Sequence, residues 1–383
     1  MDCKDADAVL TIRRRSLCRL VSHSFKRDFY AFLIILLPTR DCYIQFVGYK
    51  AFRRMEKYRL RKDLPRTGPC PVLLPLSCGL SSSVLLNMVH AQVEEQLSKP
   101  RGPQAFGLHV LIVEPSSISS SSVLQDGTFE LLQRRFPLAS FTRLPLHSVF
   151  EYVPGLDRIL VEYAGQSFAD DTSRPPKERL DAFRASITSP TSIADVDSIL
   201  LNRLIIAFAK NINSVGIIWG DSDGRLAAKT LANVSKGRGS SLTWQVSDGP
   251  SPFGIEFNFP LRDLFTAELQ NYANFFPELA GLIIPDAPLS DNILTKNLSI
   301  DQLMMRYVSS QGAKYPGVMS NVTRTANKLQ ASRMPTDGSR CVLCDTVICN
   351  PEGSTNQSQF ILSEEHSSNN FCYACERSRP ELS

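Results

Sequence analysis

The residues best suited to do chemistry in this 383-residue chain are its cysteines. Cys341-Val342-Leu343-Cys344 and Cys372-Tyr373-Ala374-Cys375 are two Cys-x-x-Cys knuckles separated by 27 residues. Knuckles of this length let four thiolates converge on one tetrahedral ion, so Cys341, Cys344, Cys372 and Cys375 are the expected zinc ligands. Disulfides and an iron–sulfur cluster compete for the same sulfurs, the cluster encouraged only by the extra Cys349. Ten cysteines, four of them in these pairs, favour metal binding in a reducing compartment over a secreted disulfide framework.

A second constellation is the junction at Ser77-Cys78-Gly79-Leu80-Ser81-Ser82-Ser83. The apolar run Val72 to Leu76 ahead of it reads as a buried strand, and Val84 to Val89 behind it as a helix. A helix that starts at the carboxyl end of a strand presents free N–H groups and a positive dipole end to an anion. Gly79 would let backbone come close to a phosphate, and the serines can supply an N-cap. An ordinary strand-to-helix turn has the same composition, and both readings stay open on spacing alone. A matching junction follows the strand Val215 to Trp219, where Gly220-Asp221-Ser222-Asp223-Gly224-Arg225 leads into the helix Leu226 to Leu231. In open parallel sheets ligands bind beyond the carboxyl ends of the strands, so two such loops side by side outline a cleft. Asp221 and Asp223 serve equally as ligand contacts or as helix caps.

Charge supplies a third signal. Residues 1–66 carry 16 Lys and Arg against 7 Asp and Glu, while the remainder carries 26 against 31. Arg53, Arg54, Lys57, Arg59, Arg61 and Lys62 alternate with Phe52 and Tyr58 in a helix-compatible pattern that suits a polyanion, although a solvated helix face has the same look.

The elements that must position these groups alternate regularly. After the opening strand and helix come a strand at 108–113, a helix at 123–135 and a strand at 141–146, a βαβ pattern that implies an α/β fold with a parallel sheet and helices on both faces. His109 lies inside a strand and reads as a core histidine. Residues 164–192 read as a flexible insertion with a helix near 177–186, and the stripe Ile199, Leu200, Leu204, Ile205 and Phe208 marks a helix at 195–211. Lys236-Gly237-Arg238-Gly239 reads as a mobile basic loop, and 285–339 as an Asn- and Ser-rich stretch with short helices, including Ser299 to Val308. The expected organisation is a basic N-terminal segment (1–66), an α/β domain (67–335) and a Cys-rich, zinc-ribbon-like module (336–383). The longest apolar run, Ala31 to Leu37, is too short to cross a bilayer, and Met1 to Asp7 is polar and acidic, so neither membrane insertion nor a secretory signal is expected.

Taken together the residues resemble the second subunits of cytoplasmic tRNA 2-thiolation complexes, a divergent branch of the PP-loop, adenine-nucleotide hydrolase-like superfamily. The resemblance runs over most of the chain. It rests on Cys18 and Asp41-Cys42-Tyr43 leading to Arg53-Arg54-Met55-Glu56, on Ser77 to Ser83, on Gly220-Asp221-Ser222 with Arg225-Leu226-Ala227, on Pro260-Leu261-Arg262-Asp263, and on the terminal knuckles ending in Tyr373-Ala374-Cys375-Glu376-Arg377.

The resemblance implies a complex that activates C2 of wobble uridine 34 with ATP in tRNAs for Lys, Glu and Gln. The sulfur would come from a thiocarboxylated ubiquitin-related carrier. The superfamily loop reads Ser-Gly-Gly-x-Asp-Ser. Ser77, Gly79 and Ser82 match it, while Cys78 replaces a glycine and Ser81 an aspartate. Ser81 lacks the charge an aspartate would bring to Mg²⁺, and Cys78 adds a side chain where backbone should approach. There is no cysteine between Gly79 and Arg340, so a persulfide relay has no place in this domain. The expectation is therefore a tRNA-binding structural partner of a catalytic PP-loop subunit, with ATP doubtful at an altered pocket formed by Ser77, Cys78, Gly79, Ser81, Ser82, Gly220 and Asp221. A self-sufficient ATP-dependent tRNA sulfurtransferase and a zinc-stabilised RNA-binding module are the alternatives.

One oddity lies near the N-terminus. Deleting residues 20–40 would join Cys18-Arg19 to Asp41-Cys42 as Cys-Arg-Asp-Cys, a zinc-knuckle spacing running into the basic helix. Residues 20–40 therefore read as a translated intron or another gene-model artefact, and Cys3, Cys18 and Cys42 as a degenerate site. Transcripts sequenced across this region are expected to lack these codons; a message that retains them throughout overturns the reading.

Overall fold

The computed structural model describes residues 40–58, 69–99, 104–115, 126–285, 298–329, 339–348 and 370–380. The chain divides into two compact units, Met1–Gly48 and Tyr49–Ser383. Cys3, Cys18 and residues 20–39 lie outside the described residues. Helix α1 (Arg40–Arg54) carries the boundary, and all that follows belongs to the second unit.

The second unit is built on β1 (Cys70–Pro75), which runs into α2 (Leu80–Ser98), β2 (Phe106–Glu114), α3 (Asp126–Arg135) and β3 (Ala139–Pro145). β1 pairs with β2 and β2 with β3, both in parallel. Short α4 (Val149–Tyr152), α5 (Leu156–Ala164), α6 (Pro176–Ala185) and the 22-residue α7 (Pro190–Asn211) then carry the chain back across the sheet to β4 (Gly216–Ile218). β4 lies against the other edge of β1, again in parallel. Next come α8 (Asp223–Ser235), α9 (Leu242–Gln245), β5 (Gly249–Pro250) and β6 (Glu256–Asn258). β6 joins β4 in parallel and β5 pairs antiparallel at the rim, giving the order β3-β2-β1-β4-β6-β5. α10 (Thr266–Asn274), α11 (Ile300–Lys314), α12 (Pro316–Lys328) and α13 (Tyr373–Arg377) complete the described elements.

The direction of strand addition reverses at β1. Right-handed crossovers then place α2 and α7 on opposite faces of the sheet. Val72, Leu73 and Leu74 are all fully buried, as a strand covered on both faces requires. Leu73, Leu111 and Ile217 share a core with Ile205, Phe208 and Ala209 of α7. α2 is buried from Ser81 to His90, which explains why its sequence shows no amphipathic stripe.

The stretch expected to be a flexible insertion is anchored at and just after α6, where Leu180, Phe183 and Ile187 fill a second core with Leu156, Leu160 and Tyr163, while residues 171–178 are exposed. The same core takes in Cys341, Cys344, Phe371 and Cys375, so the C-terminal cysteines are built into the body of the second unit. Tyr163 donates to the Ser378 carbonyl at 2.6 Å, and its ring lies 6.0 Å from that of Phe371. The stretch expected to carry only short helices contains α11 and α12, of 15 and 13 residues, both packed on α8. The helix expected at Ser299 to Val308 is α11, longer than expected, whereas α12 was not singled out because residues such as Asn321 and Thr325 read as loop in sequence.

Candidate functional site

The two junctions meet. Because β1 and β4 are adjacent and parallel, the loops after Pro75 and Ile218 emerge side by side at the carboxyl edge, at the point where the strand order reverses. Contact between them is direct: a Cβ on Gly220 would lie 2.7 Å from the Ser82 Cα and 2.8 Å from its Cβ. Only glycine allows this approach, and it presses the second loop onto the first turn of α2.

The first loop is closed by its own hydroxyls. Ser82 Oγ donates to the Gly79 carbonyl at 3.2 Å, and Ser77 Oγ lies 3.1 Å from Ser82 Oγ. The Gly79 N–H points at Ser77 Oγ at 3.4 Å. The N-cap of α2 is Gly79, with no side-chain cap, so the serines expected to cap the helix are spent on the loop and on buried contacts instead. Ser81, Ser82 and Ser83 are all buried.

Cys78 sits at φ 57°, in the left-handed region where glycine is favoured. Its carbonyl accepts from the Ile284 N–H at 2.7 Å, which holds the residue in that conformation. Burial pushes the Cys78 thiol up to about 11, so it is protonated at neutral pH and carries no nucleophilic thiolate.

Cations converge on this edge from α8. Arg225 Nη2 lies 3.9 Å from the position a Cβ on Gly79 would take. Lys229 reaches Asp221 Oδ2 at 3.8 Å and lies over the Trp219 ring, 5.6 Å from its centroid. Asp223 faces inward, 3% exposed, with Oδ2 accepting from Ser320 Oγ at 3.0 Å, so it anchors α12 and leaves Asp221 as the accessible acid of the pair. The cleft can receive an anionic group between a helix start and Arg225. In the sequence Arg225 stood out only as part of the junction and its motif, and Lys229 not at all; their shared signal is a position in the first two turns of the helix behind the second junction.

The basic segment is only partly described. Arg59, Arg61 and Lys62 lie outside the described residues. Arg53 is exposed. Arg54 is engaged by Asp263 at 2.7 Å and Asp248 at 3.1 Å, Lys57 by Glu256, and Lys50 by Glu268 at 2.8 Å. Tyr58 accepts from Asn258 Nδ2 at 2.6 Å, at the end of β6. Arg54 and Lys57 thus pin their segment to the acidic rim around β6, a pairing that counting charges along the chain could not show.

The four expected metal ligands do come together. The Sγ atoms of Cys341, Cys344, Cys372 and Cys375 all lie within 4.8 Å of one another, and Cys344 and Cys372 are 3.6 Å apart. A single ion with metal–sulfur bonds of about 2.3 Å places tetrahedral sulfurs roughly 3.8 Å apart, so the set fits one ion. A cubane cluster would hold its cysteine sulfurs further from each other, and Cys349 lies outside the described residues. Hydrogen bonds within the cluster pull Cys344 and Cys372 below the ordinary thiol range and push Cys341 and Cys375 above it. Sulfurs that share protons in this way give them up together to a cation.

Local structure explains the convergence. The first knuckle turns at Asp345, φ 58°, whose N–H donates to the Cys341 carbonyl at 2.8 Å, and the Val342 N–H reaches across to the Asn370 carbonyl at 2.8 Å. The second knuckle opens α13, with Cys372 at its N-cap. Lys236 to Gly239, expected as a mobile loop, is instead a packed turn: Gly237 adopts φ 79° and a Cβ there would meet the Tyr373 ring at 2.7 Å. Arg238 is 5% exposed and donates to Asp195 and Cys375.

Comparison with known proteins gives these sites a family. A family model described as cytoplasmic tRNA 2-thiolation protein 2 matches residues 299–371. A protein of that name from Emericella nidulans is 77% identical over 329 residues, which is 86% of this chain and 100% of the relative. The one from Aspergillus oryzae is 57% identical over 383 residues, covering 100% of this chain and 97% of the relative. The chain belongs to the cytoplasmic tRNA 2-thiolation protein 2 family. Among solved structures it is similar to the U34-tRNA thiolase NcsA from Methanococcus maripaludis with its [4Fe-4S] cluster, at 14% identity and a TM-score of 0.49 over 84% of this chain and 91% of that one. Among the described residues no helix is long and apolar enough to cross a membrane.

The tight approach at Gly220 yields a direct check. Gly220→Ala is expected to cost about 1–3 kcal/mol of stability, because the neighbour that must move is backbone. Urea unfolding of the variant measures this, and a change below a few tenths would show that the two loops are free to separate.

Proposed function

We propose that this chain acts in cytoplasmic tRNA 2-thiolation as the tRNA-contacting, structural partner of a catalytic PP-loop subunit, with a zinc ion held by Cys341, Cys344, Cys372 and Cys375. Family membership supports the reaction, and the state of the first loop supports the division of labour. A loop whose Ser77, Gly79 and Ser82 satisfy one another, with a buried and protonated Cys78 beside it, lacks both a charged Mg²⁺ partner and a nucleophile. In this reading ATP activation and sulfur transfer from a ubiquitin-related carrier belong to the partner. The pocket made by Ser77, Cys78, Gly79, Ser81, Ser82, Gly220 and Asp221, with Arg225 beside it, is a remnant that binds nucleotide weakly at most.

Zinc suits four sulfurs that converge on one point and are enclosed by a hydrophobic core, where the ion would close two distant chain segments on each other. On the nucleic-acid side, Arg53, Arg59, Arg61 and Lys62 are the proposed phosphate contacts. Arg54 and Lys57, held by acids near β6, contribute by anchoring the end of the described segment at residues 54–58.

Two measurements test this division. Purified chain given ATP, tRNA and the thiocarboxylated carrier is expected to form no 2-thiouridine until the PP-loop partner is added; robust product from this chain alone refutes the structural role. Replacing Arg53, Arg59, Arg61 and Lys62 with Ala should lower the slope of log affinity against log salt by about one per lost phosphate contact. Arg54→Ala should weaken stability while leaving that slope unchanged, and a slope that responds to Arg54 instead of to the four would reverse the assignment.

A further inference from the structure

The four-cysteine site is not closed by the cysteines alone, because two arginines from the α/β body, Arg203 half-buried and Arg238 buried, reach into it, one for each knuckle. Arg203 of α7 donates from Nη1 to the carbonyls of Val342 and Leu343, both at 2.8 Å, and so holds the first knuckle. Arg238, in the turn between α8 and α9, donates from Nη2 to Cys375 Sγ at 3.4 Å, in the second knuckle. The planar fork of Arg238 is used on two sides at once: Nε donates to Asp195 Oδ1 at 3.0 Å while Nη2 serves both Asp195 and the sulfur. Asp195 also takes Lys236 at 3.0 Å, and Lys236 continues to Asp301 on α11 at 2.8 Å. Asp195, Lys236 and Arg238 are all nearly excluded from solvent at their side chains, at 5%, 7% and 4% exposure.

Charge explains the arrangement. Four thiolates around a divalent ion leave a net dianion, and a dianion inside an apolar core needs cations close by. Arg203 and Arg238 bring positive charge to the two knuckles, and of the two it is Arg238 that donates to a ligand sulfur. A fixed N–H donor on a ligand sulfur also orients that ligand, as the outer-shell partners of metal sites generally do.

We propose that Arg238 is a positioning residue of the metal centre: it donates to the Cys375 sulfur, offsets part of the negative charge there and, through Asp195, Lys236 and Asp301, ties metal retention to the packing of α7, α8 and α11. The proposal rests on the metal reading of the four cysteines given above. It extends the site from the C-terminal knuckles into the helices that follow the second cleft junction, so that loss of metal loosens the end of α8.

The test uses the full-length chain loaded with zinc, and with cobalt as a spectroscopic probe. Against a chelator in competition, R238M is expected to hold zinc about 10–100-fold more weakly than the unmodified chain, and R238K to lose less, since it keeps the charge but not the fork. In the cobalt form, removing a hydrogen bond to sulfur should move the thiolate-to-cobalt charge-transfer band of R238M to lower energy, with a smaller shift in R238K. A substitution that only disturbed packing would leave that band in place. Metal retention within twofold of the unmodified chain together with an unshifted band, in R238M or, if that variant fails to fold, in R238K, overturns the proposal. If the unmodified chain takes up no zinc or cobalt, or C375S binds as well as the unmodified chain, the metal reading itself fails, which is a separate result from the failure of Arg238.

Discussion

Everything at the cleft depends on the contact between the second loop and the first turn of α2, where Gly220 lies against Ser82 with no room for a side chain. That contact exists because β4 pairs directly with β1, and the pairing exists because the chain crosses from β3 over the sheet before adding β4. One reversal of direction therefore places two strand-to-helix junctions, 140 residues apart in number, within van der Waals distance of each other. The helix starts, the Arg225 guanidinium and the Asp221–Lys229 pair take their positions from it. Into that cleft the chain places a left-handed residue that is cysteine, a loop that hydrogen-bonds to itself, and an aspartate already facing a lysine.

The second organising feature is the long helix α7. Its C-terminal half lies against the sheet with Leu73 and Ile217, and its N-terminal half fills the second core with Leu180 and Phe183. The C-terminal cysteines dock on that second core, and α7 supplies both Arg203 and Asp195 to their surroundings. A buried ion pair such as Asp195–Arg238 is weak evidence for stability, since desolvation offsets its attraction, yet stranding either partner costs about 3–5 kcal/mol. Its value here is directional, because it fixes where the guanidinium can point. The knuckles and the nucleotide-like cleft, which look like separate modules in the linear sequence, are thus joined through α7 and α8.

Much of the site was legible in the order of residues. Cys341, Cys344, Cys372 and Cys375 announced a four-sulfur site by spacing alone, since short Cys-x-x-Cys turns can adopt few other roles, and their sulfurs do converge. The strands β1 and β2 and the helices α7 and α8 were readable from their apolar residues because most of these are buried, and β3, whose residues are at most half-buried, from its place in the βαβ alternation. The partners of charges were not readable. Arg54 and Lys57 look like free cations in a basic run, but Asp248, Asp263 and Glu256, some 200 residues away, claim them. Lys236 to Gly239 looked mobile because glycine and charge mark solvent-exposed loops, whereas Arg238 is buried by carboxylate and sulfur from two other segments.

By itself the sequence determined the alternation of strands and helices, the two small-residue junctions, the four-cysteine donor set and the losses at Cys78 and Ser81, because each of these depends on local spacing or on the identity of a single side chain. Only the tertiary structure decided that the junctions touch, that Leu180, Phe183 and the C-terminal cysteines share one core, and which cations remain available to a ligand. The physical reason is that burial and charge pairing are properties of distance in space. A guanidinium is a phosphate contact, a structural clamp or a counter-ion to sulfur according to what the fold brings within about 4 Å of it.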